Sequence, residues 1–295
     1  FIDLEMQISV SDDQIAVGTG ELKKEWRKDG KRFFLYEAND IPFRFALSSA
    51  RYKVKKAIHN GVHIEVLYHP IHGQNVGELI KNTTLTLDYC SKNFGPYPFT
   101  SIVFAEVSSF TQGFNGTAYP GVIYMTENMA FHSNVKAGDN QDVINELTGH
   151  EVAHFWWGNN QISPDYREGY AMLTESLAMY TEMMIYKQRH GEEKMLERLE
   201  VQKQIYESQK GFHEPVPLLK ATQQYTDIAY NKGAVVFVEL SQLIGENTLN
   251  LVLKNFLKDF KYPNPKPVST DLLTEILKVS DKKFHQRIKD LFWEE

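Results

Sequence analysis

The sequence has few of the features that mark several large classes of protein. Cysteine occurs once among 295 residues, at Cys90, which excludes an internal disulfide framework but does not indicate the compartment. No apolar run approaches the roughly 20 residues that span a bilayer. Basic residues form no block and number 32 against 38 acidic residues, so nucleic acid is not an expected partner. The sequence also has no internal repeat and no low-complexity tract.

The chain is rich in apolar residues, and its first residues already have the pattern of a strand. Hydrophobic residues make up 42% of it and aromatic residues 13%, which is enough for one large core and a smaller partner domain. The chain begins at Phe1, without methionine, in a segment that already has the pattern of a strand. We therefore expect it to be a piece of a longer protein. Its localisation stays unknown, and membrane association through missing parts of the parent protein stays open.

Residues 1–70 have the alternation of apolar and polar side chains that is typical of half-buried strands. Two dipeptides that favour hairpin turns, Asp29-Gly30 and Asn60-Gly61, stand between apolar runs. The pattern predicts an antiparallel meander of about six strands. We expect these residues to be the C-terminal part of an N-terminal β domain.

Helical patterns dominate most of the remaining chain, residues 71–295, which we expect to form a second domain. Short strands are predicted near its beginning, and the segment between them is predicted to be a glycine-rich loop. The predicted strands are 101–107 and 121–125, and the predicted helices include 77–93, 192–208, 270–279 and 281–293. Together with the β-rich beginning, this order predicts an α+β fold.

The chemistry of the chain is indicated by the segment His150-Glu151-Val152-Ala153-His154. On a helix, histidines four residues apart lie on one face, one turn above the other, so that both can reach one metal ion. Glu151 projects about a quarter-turn away, where a water activated by zinc needs a base. Apolar residues before the motif and Gly158 after it predict a helix that ends near Gly158. By itself, the motif also fits a surface helix with two solvated histidines.

A third potential ligand decides between these interpretations, because a catalytic zinc usually takes three protein ligands and leaves a fourth position to water. Glu175 lies on or beside an apolar stripe at helical spacing. The stripe consists of Leu173, Leu177, Tyr180 and Met184. A glutamate directed toward a core is costly unless it meets a cation. We therefore predict that one Zn²⁺ per chain is held by His150, His154 and Glu175.

With these residues placed, the chain resembles the aminopeptidase N and leukotriene hydrolase family of gluzincin zinc metallopeptidases. The resemblance is carried by four segments besides the histidine motif. These are Phe-Gly-Pro-Tyr-Pro-Phe at 94–99, Trp157-Gly158, Leu-Thr-Glu-Ser at 173–176 and Tyr-Asn-Lys-Gly at 230–233. The resemblance implies a thermolysin-like catalytic domain at 71–295 that hydrolyses peptide bonds in a peptide or protein substrate. It also implies that Glu151 is the general base and that Tyr230 stabilises the oxyanion.

The spacing of the ligands departs from the usual family pattern. Twenty residues, 155–174, separate His154 from Glu175, two more than is usual in the family. A loop outside the helices accommodates such an insertion easily. This spacing, together with Trp156-Trp157 and the Leu-Thr-Glu-Ser segment, is similar to a bacterial branch in which the peptidase domain is fused to a permease-like membrane region.

A second departure concerns the family's exopeptidase box, Gly-x-Met-Glu-Asn. The corresponding residues here, 115–120, read Asn-Gly-Thr-Ala-Tyr-Pro, and Ala118 stands where the glutamate that binds the substrate's free amine belongs. The resemblance therefore supports peptidase chemistry without aminopeptidase specificity. Specificity for a free amine would require a substitute carboxylate, for which the candidates are Glu106, Glu127 and Glu168.

A different class of function also stays open, namely a zinc-binding scaffold or interaction module that cleaves nothing. The lost exopeptidase box favours this alternative, whereas Glu151 and Tyr230 disfavour it, since zinc binding alone requires neither. The remaining histidines are expected to lie mostly in loops or on the surface. They are His59, His63, His69, His72, His132, His190, His213 and His285. The pair Trp156-Trp157 is expected to pack in the core.

Overall fold

The structure, a computed structural model, describes residues 1–110, 115–132, 143–158, 160–167 and 169–294. The chain divides into two compact units. The first consists of Phe1–Leu87 and Tyr97–Phe155, and the second of Asp88–Pro96 and Trp156–Glu295. The division into domains at residue 70 stays a prediction.

The strands of the described chain all lie in the first unit. They are β1 (Ile2–Ser11), β2 (Ile15–Gly18), β3 (Glu21–Lys28), β4 (Lys31–Ile41), β5 (Leu47–Ala50), β6 (Lys53–His59), β7 (Val62–Tyr68), β8 (Ser101–Val107), β9 (Gly116–Tyr119) and β10 (Val122–Thr126). Three sheets result, with strand orders β1-β4-β3, β2-β5 and β6-β7-β8-β10-β9. The predicted α+β class is confirmed, because helices make up most of the regular structure after β10.

Both predicted hairpins are confirmed. Strands β3 and β4 pair antiparallel across Asp29 and Gly30, and β6 and β7 pair antiparallel across Asn60 and Gly61. All four turn residues have positive φ, between 48° and 83°, as a two-residue type I′ turn requires. The expected single meander is wrong, because seven strands precede residue 70 and they belong to three sheets. Alternation identifies a strand but not the strand with which it pairs.

The five-stranded sheet contains three parallel strands whose carboxyl ends lie at one edge. Strand β8 pairs parallel with both β7 and β10, and β9 pairs antiparallel with β10. Buried residues of β7, β8 and β10, among them Leu67, Ala105 and Tyr124, pack with Val17 of β2 in one apolar cluster. Because parallel strands point the same way, the carboxyl ends of β7, β8 and β10 lie at one edge of the sheet.

The helices of the described chain follow the predicted pattern closely. They are α1 (Val76–Asn93), α2 (Val143–Ala153), α3 (Leu177–His190), α4 (Glu192–Gln209), α5 (Gly233–Ile244), α6 (Glu246–Phe260), α7 (Ser269–Val279) and α8 (His285–Trp293). In the second unit, Phe237 of α5 and Phe292 of α8 are fully buried and meet edge to face at 5.6 Å between ring centroids. Among the described residues, no helix is long and apolar enough to cross a membrane.

Three π-helical turns among the described residues were not predicted. They cover Glu127–Phe131, Met172–Ser176 and Asp227–Lys232. A π-helical turn holds one residue more than the corresponding α-helical turn, and such turns are frequent at functional sites. Hydrophobic periodicity does not reveal them, since the flanking helix keeps its ordinary 3.6-residue pattern.

Candidate metal centre and active site

The two motif histidines lie at the end of α2. His150 is on its last turn, and His154 lies in the turn that follows Ala153. The predicted end of the helix at Gly158 is therefore wrong by five residues. The backbone N–H of Phe155 donates to the carbonyl of Val152 at 3.1 Å, so the chain tightens after α2 instead of continuing as an α-helix.

The geometry of the histidine pair fits a metal ion. The Nε2 atoms of His150 and His154 are 3.2 Å apart, the two rings are nearly perpendicular, and both side chains are buried. Two nitrogen ligands that bind one zinc tetrahedrally at about 2.0–2.1 Å are about 3.3 Å apart. The two nitrogens therefore have the separation that a shared zinc requires.

Glu151 is buried on the same helix, close to the edge strand β9. A Cβ atom built on Gly116 of β9 would lie 2.8 Å from Oε1 of Glu151. Any side chain at position 116 would thus collide with the carboxylate. Because Gly116 has no side chain, the extended backbone of β9 can run directly beside Glu151, the candidate base.

Glu175 lies in the second unit, in the π-helical turn Met172–Ser176 that precedes α3. Its side chain is buried, as the apolar stripe predicted, and the four residues of the stripe are buried as well. Thr174 packs against Gly158, where a Cβ would lie 2.5 Å from the Thr174 methyl group. With a φ of +90°, Gly158 also has a backbone conformation that other residues rarely adopt.

Tyr230 is half-buried on the π-helical turn Asp227–Lys232, directly before α5. The Ser176 hydroxyl, next to Glu175 in sequence, donates to the carbonyl of Ala229 at 2.6 Å. A Cβ on Gly233 would lie 2.2 Å from Ser176 Oγ. Through these contacts of Ser176 with Ala229 and Gly233, the π-helical turn that carries Glu175 packs against the π-helical turn that carries Tyr230.

His213 forms hydrogen bonds at the start of the π-helical turn Asp227–Lys232, which carries Tyr230. Nε2 of His213 lies 3.0 Å from both carboxylate oxygens of the buried Asp227, and Nδ1 lies 2.8 Å from the carbonyl of Glu214. Hydrogen bonding to the Glu214 carbonyl, and then to Asp227, raises the pKa of His213. A charged His213 would donate to both partners and stabilise the first residue of the turn.

The tryptophan pair after the motif is structural, as predicted. Trp156 and Trp157 are fully buried in the second unit. Their indole N–H groups donate to the carbonyl of Gly95 at 2.9 Å and to the hydroxyl of Thr181 at 3.1 Å. Each indole therefore has a hydrogen-bond partner in the core, which a buried tryptophan normally needs.

The described residues include two groups of histidine and glutamate side chains that could hold a metal ion. One contains the predicted pair of His150 and His154. The other is His72, Glu127 and His132. Sequence reasoning missed the second group, since its histidines belong to no motif and were assigned to loops or the surface.

Residues 79–293 match the model of the peptidase family M1 domain, a span that covers most of the chain. The chain belongs to peptidase family M1. Among curated proteins, it is 27% identical over 262 residues to mitochondrial aminopeptidase 2 of Saccharomyces cerevisiae, covering 83% of this chain and 27% of that protein. It is 20% identical over 215 residues to human endoplasmic reticulum aminopeptidase 2, covering 70% of this chain and 22% of that protein.

The same M1 fold occurs in solved structures. The M1 zinc metallopeptidase of Deinococcus radiodurans superposes with a TM-score of 0.74 at 18% identity, over 98% of this chain and 63% of that chain. A mutant of that enzyme with a bound Tyr-Ser-Ala substrate superposes with a TM-score of 0.72 at 19% identity, with the same coverage. The chain thus spans about a quarter of the length of these curated relatives and under two thirds of these structures. These structural matches show that the chain has the fold of the M1 structures.

Proposed function

We propose that the chain is the zinc-dependent catalytic part of a peptidase, with His150, His154 and Glu175 as the metal ligands. The proposal depends mainly on one observation: the family match over residues 79–293 includes all three. The 3.2 Å separation of the histidine Nε2 atoms supports it independently. In this class of site, zinc polarises the scissile carbonyl and makes a water molecule acidic.

In the proposed mechanism, Glu151 accepts a proton from the attacking water and later delivers it to the nitrogen of the leaving amine. Tyr230 donates a hydrogen bond to the oxygen that gains negative charge when water adds to the carbonyl carbon. A phenol suits this task because it is a neutral donor. Strand β9 is the last strand of its sheet among the described residues, so an extended substrate could pair with its outer edge.

Removal of the third ligand tests the proposed metal centre. Glu175→Ala is expected to lower the zinc content by one equivalent per chain relative to the unaltered protein, because two imidazoles alone leave a metal poorly coordinated. Elemental analysis of protein purified without chelators measures the zinc content. Circular dichroism of the same samples checks that the fold is retained.

The matched control is Glu200→Ala, which removes an exposed glutamate from α4 in the same unit. It should leave the zinc content unchanged. Equal zinc in the Glu175→Ala and unaltered proteins would contradict the ligand assignment. Full zinc content without hydrolysis of a broad peptide library would favour the alternative of a zinc-binding scaffold, which the comparisons do not favour.

The proposal also includes the absence of a carboxylate anchor for the substrate's free amine. Ala118 on β9 is buried, and the strand Gly116–Tyr119 contains no acidic residue. Two of the candidate substitutes already have partners, since Glu106 accepts hydrogen bonds from the backbone N–H of His69 and from the ring of His72, and Glu127 accepts two from Ser109. Glu168, the third candidate, lies outside the described residues.

We therefore expect little preference for peptides with a free N-terminus. An ammonium group that leaves water needs a matched anion to recover the lost hydration energy. Free and N-acetylated forms of the same peptides should be hydrolysed with similar kcat/KM. A preference of about 100-fold for the free amine, which corresponds to about 2.7 kcal/mol, would contradict the prediction and indicate a substitute anchor.

We further propose that the parent protein belongs to the bacterial branch in which the peptidase domain is fused to a permease-like membrane region. The twenty-residue spacing between His154 and Glu175 and the Trp156-Trp157 pair support this assignment. The complete sequence of the parent protein checks it directly, because the fusion requires several apolar segments of about 20 residues outside the present chain.

A further inference from the structure

Outside the proposed active site, titratable side chains converge at the edge of the five-stranded sheet where β7, β8 and β10 end. His69 and His72 follow β7, Glu106 is the penultimate residue of β8, and Glu127 follows β10 directly. Because these three strands are parallel, residues far apart in sequence meet at their carboxyl ends. In open sheets this edge is a common location for ligand sites.

Three of the side chains that meet here have the chemistry and the separation of metal ligands. One potential ligand atom of each of His72, Glu127 and His132 lies within 4.8 Å of those of the other two. The His72 ring lies beside Glu127, with Nδ1, the nitrogen that is hydrogen-bonded to Glu106, 4.0 Å from Oε2 of Glu127. The rings of His72 and His132 meet edge to face with their centroids 3.9 Å apart.

The orientation of His72 is fixed by a buried carboxylate. Oε1 of Glu106 is hydrogen-bonded to Nδ1 of His72, and Oε2 accepts the backbone N–H of His69 at 2.6 Å. Only 11% of the His72 side chain and 5% of the Glu106 side chain are exposed. Histidines that bind metals commonly donate one ring N–H to a carboxylate, which directs the lone pair of the other nitrogen at the ion.

Ser109 fixes the position of the Glu127 carboxylate through one of its two oxygens. Its Oε1 accepts hydrogen bonds from the backbone N–H of Ser109 at 3.0 Å and from the Ser109 hydroxyl at 2.8 Å. The oxygen nearer to His72 is Oε2, so the fixed carboxylate can offer this atom to a cation.

We infer that His72, Glu127 and His132 form a second metal site, which binds Zn²⁺. Two imidazoles and one carboxylate suit zinc and leave a fourth position for water or another ligand. Glu106 positions His72 without binding the ion. The site lies in the first unit and shares no residue with the proposed set of His150, His154 and Glu175. It would raise the zinc content from the one ion expected from the sequence to two.

The test is a zinc count on the whole chain, with Zn²⁺ alone as the probe. Protein stripped with a chelator is reloaded with zinc, freed of excess metal by gel filtration and analysed for bound metal. The unaltered protein is expected to hold two equivalents, and Glu127→Gln and His132→Ala are each expected to hold one. His63→Ala, which removes an exposed histidine from β7, should still hold two.

A double variant separates this site from the proposed catalytic one. His150→Ala combined with His154→Ala is expected to retain one equivalent, and adding His132→Ala should remove it. His132 is exposed, so its removal tests the site even where a change at a buried member prevents folding. The inference is overturned when the unaltered protein holds one equivalent that His132→Ala leaves in place, or when the His150 and His154 double variant holds none.

Discussion

The change Glu151→Gln is expected to lower kcat for peptide hydrolysis by about 10²–10⁴-fold, the usual contribution of a general base. The amide has nearly the same size and shape as the carboxylate, so it fits the space beside Gly116, where a built Cβ comes within 2.8 Å of Oε1. An amide cannot, however, accept the proton from the attacking water. Steady-state kinetics on a peptide that the unaltered protein cleaves measures the loss.

Zinc content has to be measured on the same Glu151→Gln samples, because loss of the metal would imitate loss of the base. It is expected to stay unchanged, since Glu151 is not a proposed ligand. A matched control is Glu239→Gln, the same chemical change at a partly exposed glutamate on α5, which should keep full activity. Unchanged kcat in Glu151→Gln would exclude Glu151 as the base.

The change Tyr230→Phe is expected to lower kcat by about 10²–10³-fold, or about 2.7–4 kcal/mol, the typical cost of one lost oxyanion donor. Only the hydroxyl is removed, so the ring keeps its place on the π-helical turn Asp227–Lys232. Because the donor is needed mainly when charge develops on the carbonyl oxygen, KM should change little. Separate determination of kcat and KM distinguishes this effect from weaker substrate binding.

Tyr225→Phe is the appropriate control for Tyr230→Phe. Tyr225 lies five residues upstream, and its ring stacks edge to face on His213 at 5.1 Å between centroids, a contact that phenylalanine preserves. The control should retain full kcat. A loss in both variants would indicate general disturbance of the turn, and a loss in neither would exclude Tyr230 as the oxyanion donor.

Patterns among neighbouring residues were sufficient to predict many of the turns and helices of the fold. Asp29-Gly30 and Asn60-Gly61 predicted their hairpins because few other dipeptides adopt two consecutive positive φ values easily. The periodicity of 77–93 predicted α1 to within one residue at its start. The histidine motif predicted the paired imidazoles for the same reason, since the spacing of four residues is a property of one helix.

Features that depend on contact between distant segments could not be predicted in this way. Strand β9 was taken as part of a loop, because four residues with one glycine carry too little periodicity to indicate a strand. The approach of Gly116 to Glu151 and that of Gly233 to Ser176 are set by packing between separate elements. Nothing in the sequence next to either glycine indicates its partner.

The sequence by itself therefore determined the hairpin turns, most of the helices and the pairing of His150 with His154, because each depends on residues that are close together along the chain. Only the tertiary structure decided which strands pair and which side chains meet. His72 lies far along the chain from Glu127 and His132, and the three residues belong to no common motif. They come together because β7, β8 and β10 run parallel, and strand direction within a sheet is a property of the whole fold.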